Sequence, residues 1–264
     1  ESPCDILDQD RLGRIEREDD YLLIIMRVAP HRPGQGIPYW TAPLGIVFAG
    51  DTVITISLFE NEILRDLAEN RVRNFSLTTR SSFLLHLFMR SATYYLRYLK
   101  EINRATSSIE KDLQRSVKNN ELIQLLSLEK SLVFFTTSLK SNELLMEKIQ
   151  KPAFFTFDEE EFDLLEDCLT ENKQAIEMAN IYSNILTGMM DAFASVISNN
   201  LNVVMKRLTV INLILMVPTL ISSVFGMNVA LPFQTSPQAF LGVLGFSLTL
   251  ALLGTIFLRR AKFY

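Results

Sequence analysis

The chain has 264 residues, with 26 Lys and Arg against 30 Asp and Glu and a formal net charge of −4. It carries no basic stripe interleaved with aromatics, which argues against a nucleic-acid partner. Two distant cysteines, Cys4 and Cys168, and two histidines, His31 and His86, offer no disulfide framework and no zinc spacing, and fit a soluble part in a reducing cytosol.

The elements follow in chain order. Residues 21–28, YLLIIMRV, form a continuous apolar run, the pattern of a buried strand. Residues 44–58 hold two β-branched runs joined by Gly50-Asp51, a hairpin pattern. Between them, HRPGQGIPYWTAP is loop material. Apolar positions recur at helical spacing over 60–74, 80–104 and 118–149, and Lys151-Pro152 ends the last of these. From Asp158 to Val217 the chain runs without proline, and acidic residues in its first turn suit the positive end of a helix dipole. Such a rod is on the order of 90 Å long. The predicted organisation is an α/β domain over 1–117, a helical stalk over 118–205, and a membrane domain over 206–264.

The mean hydropathy of +0.17 reflects an apolar excess concentrated after Leu208. Residues 208–225 and 239–258 are free of charge and long enough to span a bilayer. Lys206-Arg207 precede the first run, and Arg259, Arg260 and Lys262 follow the second, while the loop over 226–238 is uncharged. The positive-inside rule then places both termini in the cytoplasm and the loop outside. That loop is too short to fold as a receptor domain, so it serves as a rim, an anchor or an entrance. No nucleophile with its base, no phosphate loop and no metal cluster is visible, so the chain does not read as an enzyme.

Two helices cannot enclose a pore, so a pore here requires an oligomer. Helical spacing back from Asn228 selects one face: Ser223, Thr219, Met216, Asn212, Leu208, Met205 and Asn202. It mixes amides and hydroxyls with Met and Leu, whereas Ile211, Ile214, Leu215 and Ile221 are aliphatic and suit lipid or the second span. Polar groups inside a membrane are costly and line water or a partner. The first span ends outward, so its carbonyl end favours a cation at the mouth. Gly226 permits close backbone approach or a positive φ, and Asn228 can offer its amide oxygen to an ion's water shell. Mg²⁺ keeps its waters, and a neutral amide ring suits that habit.

Residues 202–234, NVVMKRLTVINLILMVPTLISSVFGMNVALPFQ, resemble the pore helix of the CorA family of divalent-cation channels, whose hallmark is a Gly-Met-Asn triplet, here Gly226, Met227 and Asn228. The likeness continues through LEDC, ENKQAIEM and DAFASVISNN, and extends weakly to CDIL at residues 4–7. It implies a mostly α, funnel-shaped homopentamer with an α/β cytoplasmic domain, long stalk helices and two C-terminal spans in the plasma membrane. It also implies Mg²⁺ influx with no bound cofactor. Family members carry further residues ahead of the CDIL position, so a preceding N-terminal part is expected. The resemblance puts a polar ring at Asn202 and a hydrophobic neck at Met205, Leu208 and Met216. It also implies regulation by intracellular Mg²⁺ through interface carboxylates, matching Asp5, Asp167 and Asp191. Leu12-Gly13 depart from the Arg-Pro common in the family. The acidic run of Asp158, Glu159, Glu160, Glu161, Asp163, Glu166, Asp167 and Glu171 reads either as a solvated face or as a belt that divalent cations hold together between subunits. The alternatives are a Zn²⁺ or Co²⁺/Ni²⁺ transporter of the same family, and a membrane-anchored signalling scaffold.

Overall fold

The computed structural model describes residues 12–30, 38–69, 79–115, 119–227 and 238–260. The chain divides into two compact units, Glu1–Asp191 and Ala192–Tyr264. In the first, strands β1 (Arg14–Arg17), β2 (Tyr21–Val28), β3 (Ala42–Ala49) and β4 (Thr52–Ser57) form an antiparallel sheet in the order β1-β2-β3-β4. The apolar run of β2 is central: Ile24 pairs with Ile46 and Met26 with Leu44, and all four side chains are buried. Strands covered on both faces need no polar alternation. The β3–β4 hairpin closes at Gly50, whose φ of 50° is costly for any residue with a Cβ. Strand β1, RIER, lies outside the sequence reading; its one apolar residue among three charges gives no period to detect.

Among the described residues, four helices lie wholly or partly in this unit: α1 (Glu62–Ala68), α2 (Arg80–Arg115), α3 (Asn119–Ile149) and α4 (Glu159–Phe225). Asn61 caps α1 by accepting from the Ile63 amide at 2.9 Å. Helix α3 is pinned to β2 by Asn142, whose Nδ2 donates to the Arg27 carbonyl at 2.7 Å while its Oδ1 accepts from the Arg27 amide at 2.8 Å. That side chain satisfies the buried Arg27 amide, and the Arg27 carbonyl accepts a second time from the Tyr95 hydroxyl at 3.2 Å. Tyr95 of α2 and Phe135 of α3 pack edge to face at 4.9 Å in the centre.

Among the described residues, three helices are long and apolar enough to cross a membrane: α3, α4 and α5 (Ala239–Arg260). They differ in what covers them. Leu125, Leu128, Leu132, Phe135 and Leu139 of α3 are buried in the first unit, so its apolar face is core. The apolar windows of α4 and α5 are only 6% buried. These are the two runs the sequence marks as spans, and α4 continues through Pro218 without interruption. Proline has no N–H, so the Ile214 carbonyl loses its helical donor within the span.

Candidate functional site

In the second unit, one stripe of α4 is withdrawn from the surface: Val210, at 7% exposure, with Ile214, Val217, Pro218 and Ile221 half-buried. A matching stripe on α5 comprises Ser247, at 4%, with half-buried Val243, Ala251, Gly254 and Thr255. Hydroxyls in the α5 stripe are spent internally, Ser247 donating to the Leu244 carbonyl and Thr255 to that of Ala251, each at 2.8 Å. The two stripes are thus the chain's own span-to-span contact. Of the aliphatic residues named from the sequence, Ile214 and Ile221 lie on it, while Ile211 and Leu215 are exposed.

The polar and Met face lies elsewhere. Asn202, Met205, Leu208, Asn212, Met216, Thr219 and Ser223 are all exposed, Met216 at 65%. At about 100° per residue, the centre of this face lies roughly 160° around α4 from the covered stripe. It is turned away from the only other helix in its unit among the described residues. Thr219 Oγ1 donates to the Leu215 carbonyl at 2.8 Å, so its proton is spent and its lone pairs are left for a donor or a cation.

At the end of α4 the Gly226 amide is shared between the carbonyls of Ser222, at 2.9 Å, and Ser223, at 3.2 Å, and Met227 donates to Val224 at 3.3 Å. This tightening satisfies carbonyls that a helix end leaves open. Gly226 has no positive φ. Its need for glycine is close approach, since a Cβ there would stand 3.3 Å from the Ser222 oxygen. Met227 is exposed. Asn228 lies outside the described residues, as does Asp5.

The acidic run does not behave as one belt. Asp158, Glu159, Glu160, Asp163, Glu166 and Asp167 are exposed, but Glu161 is buried at 7%. Its carboxylate accepts from the Thr79 hydroxyl, from Ser81 Oγ at 2.6 Å and from the Asp158 amide at 3.3 Å. Asp158 Oδ1 accepts in return from the Glu161 amide at 2.8 Å. This is a capping box. Thr79 also accepts from the Ser82 amide at 3.1 Å, so Glu161 ties the starts of α2 and α4 together. The signal was present in the sequence as Asp158 three residues before Glu161, hidden inside the charge run. Asp167 and Asp191 are exposed and stand 24 positions apart on α4, and the described residues contain no group of three His, Cys, Asp or Glu placed to hold a metal. Beside Asp167, Cys168 is buried and its thiol is pushed up to about 12, by burial first and then by the Asp167 charge.

The profile of the CorA-like Mg²⁺ transporter protein family matches residues 3–260. This chain belongs to that family. The family comprises ion transporters and channels, not enzymes. The chain is 26% identical over 260 residues to the cobalt/magnesium transport protein CorA of Methanocaldococcus jannaschii, covering 97% of this chain and 81% of the relative. The complete structure of the CorA magnesium transporter from that organism superposes with a TM-score of 0.83 at 25% identity, over 98% of this chain and 82% of the other. The full-length CmaX protein shares the fold, with a TM-score of 0.70 at 16% identity, over 94% of this chain and 79% of the other. The α/β domain, long helices and terminal apolar helix are therefore those of the family.

Proposed function

We propose that this chain forms a homopentameric Mg²⁺ channel in the plasma membrane, with one α4 helix from each copy lining the pore. The observation that carries the reading is the bare polar and Met face of α4, set opposite the stripe that contacts its own second span. Lipid satisfies aliphatic side chains, but it cannot satisfy Asn212 or the lone pairs of Thr219. Copies arranged around an axis turn that face onto water, and each named position becomes a ring. The family membership and the name of the M. jannaschii relative support Mg²⁺ as the ion, with Co²⁺ as a second substrate.

The ion enters at the Asn228 ring, above the turn that Gly226 and Met227 close, and passes Ser223, Thr219, Met216 and Asn212. It leaves through the Leu208, Met205 and Asn202 segment. Neutral oxygens bind the ion through its retained waters and release it again. The Met and Leu rings close the path by excluding water. Lys206-Arg207 and the C-terminal cations hold both termini in the cytoplasm. The membrane potential then drives influx at about 2.3 kcal/mol per charge per 100 mV. Exposed Asp167 and Asp191, with Asp5, are the carboxylates through which intracellular Mg²⁺ holds the copies in a closed arrangement.

The test is Mg²⁺ influx into proteoliposomes loaded with a Mg²⁺-sensitive dye, for the natural chain and Asn228→Ala, with Co²⁺, Ni²⁺ and Zn²⁺ alongside. Influx in the natural chain that collapses in the variant supports both the pore and its entrance. Zn²⁺ flux without Mg²⁺ flux would overturn the substrate. No flux of any divalent ion from a folded oligomer would overturn the channel.

A further inference from the structure

The first unit carries a cavity of about 530 Å³ that the proposed ion path does not use. Its rim holds Arg97, Lys100 and Arg104 of α2, which recur at i, i+3 and i+7 and so share one face of the helix. Arg97 is held in place. Its Nε donates to Glu101 Oε1 at 3.3 Å, and its guanidinium carbon lies 6.0 Å from the ring centres of both Tyr94 and Tyr98. Glu101 also accepts from the Tyr39 hydroxyl at 3.2 Å, so its charge is already shared between two donors. Lys100 and Arg104 are exposed, and neither makes an ion pair among the described residues. Two cations without an ion pair among the described residues thus face one volume in a chain whose formal charge is −4, and together with Arg97 they draw anions to this spot.

The remaining walls narrow the ligand. Met89, Thr93 and Leu96 add a largely apolar stretch of lining, and Glu171 of α4 adds a carboxylate. The volume lies within the range of small-molecule sites, which combine an apolar lining with a few placed charges. A simple inorganic anion would leave the apolar lining unused and would be repelled by Glu171. A nucleotide carrying a phosphate chain and its Mg²⁺ uses every wall: phosphates on Lys100 and Arg104, base over the apolar lining, and the metal's waters toward Glu171.

We propose that this cavity binds a nucleoside di- or triphosphate as its Mg²⁺ complex. The assignment is independent of the transport reading, because equilibrium binding tests it with no ion flux. A fluorescent ATP analogue is titrated, with Mg²⁺ present, into the purified full-length protein in detergent, and unlabelled ATP, inorganic triphosphate and inorganic phosphate compete. The expected result is saturable binding that ATP displaces and that inorganic triphosphate displaces roughly tenfold less well, since it cannot use the apolar lining. The Lys100→Ala/Arg104→Ala double variant weakens binding by about tenfold or more and leaves the melting temperature unchanged, because both side chains are exposed and unpaired. Glu171→Gln removes the advantage that Mg²⁺ gives. Lys140→Ala, an exposed cation outside the cavity, changes nothing. Absence of saturable binding, equal weakening in Lys140→Ala, or triphosphate competing as well as ATP would each overturn the proposal.

Discussion

Helix α3 and the membrane segment of α4 are both long and apolar, yet their side chains meet opposite fates. Phe135, Leu132 and Leu139 of α3 are fully buried, whereas Leu215, Met216 and Leu220 of α4 are among the most exposed large apolar residues described. The first unit buries one apolar face of α3 within the chain, while Ile123, Leu126, Val133, Phe134 and Leu144 of the same helix stay exposed. In the second unit the two helices cover only one stripe of each other. Exposing each remaining Leu or Ile to water would forfeit about 1.5–3 kcal/mol, so a lipid solvent is required. Sequence separates the two cases by charge: α3 interleaves Glu129, Lys130, Lys140, Glu143 and Glu147 with its apolar positions, while residues 208–225 hold none. The polar face of α4 then stands apart from both, since neither the chain's own core nor lipid satisfies it.

Three pairs of substitutions probe this contrast. Phe135→Ala removes the centre of the first core and is expected to cost about 3–5 kcal/mol in denaturant unfolding. Leu248→Ala, exposed on α5, is expected to stay within about 0.5 kcal/mol; equal losses would end the distinction between the units. Glu161→Ala leaves the buried Ser81 hydroxyl, the exposed Thr79 hydroxyl and the start of α4 without their acceptor, and should cost about 2–3 kcal/mol. The neighbouring Glu160→Ala, exposed and outside the capping box, should cost a few tenths at most by the same melt. Ser247→Leu overfills the span-to-span contact and should cost about 1–2 kcal/mol in detergent, with no such loss for Leu248→Ser on the exposed side.

The Cys168 thiol gives the subtlest readout. With its pKa raised to about 12, the thiolate at pH 8 is on the order of one part in ten thousand. In a Cys4→Ser background, maleimide labelling of the folded protein should be negligible at pH 8 and rise only near the raised pKa or on unfolding. Removing the neighbouring charge with Asp167→Asn lowers that pKa, so the onset of labelling should move to lower pH. Rapid labelling of the folded chain at pH 8 would contradict the burial.

Much of this was legible from the residues. The β2 run, the Gly50 hairpin, the start of α4 and the two spans follow from periodicity, turn chemistry and the acidic first turn. Strand β1 was not, because four mostly charged residues on a sheet edge carry no pattern. Glu161 was not, because a charge run conceals which member turns inward, and only the position of Asp158 three residues earlier distinguishes it. The covered stripe on α4 was blurred for a similar reason: Ile211, Ile214, Leu215 and Ile221 are chemically alike, and only the small residues of α5 show which of them face the second span. Spacing alone did select the face from Asn202 to Ser223 that stays uncovered, whereas the placement of Asn228 and Asp5 falls outside the described residues.

The central claim is that the exposed face of α4 meets the ion path and the covered stripe does not. The most direct measurement compares Mg²⁺ flux in proteoliposomes for Thr219→Cys and Ile214→Cys, each in a Cys4→Ser background, before and after a small water-soluble thiol reagent. The reagent is expected to block flux through Thr219→Cys and to leave Ile214→Cys unaffected. Block at Ile214→Cys with Thr219→Cys untouched would place the path on the opposite side of the helix and contradict it.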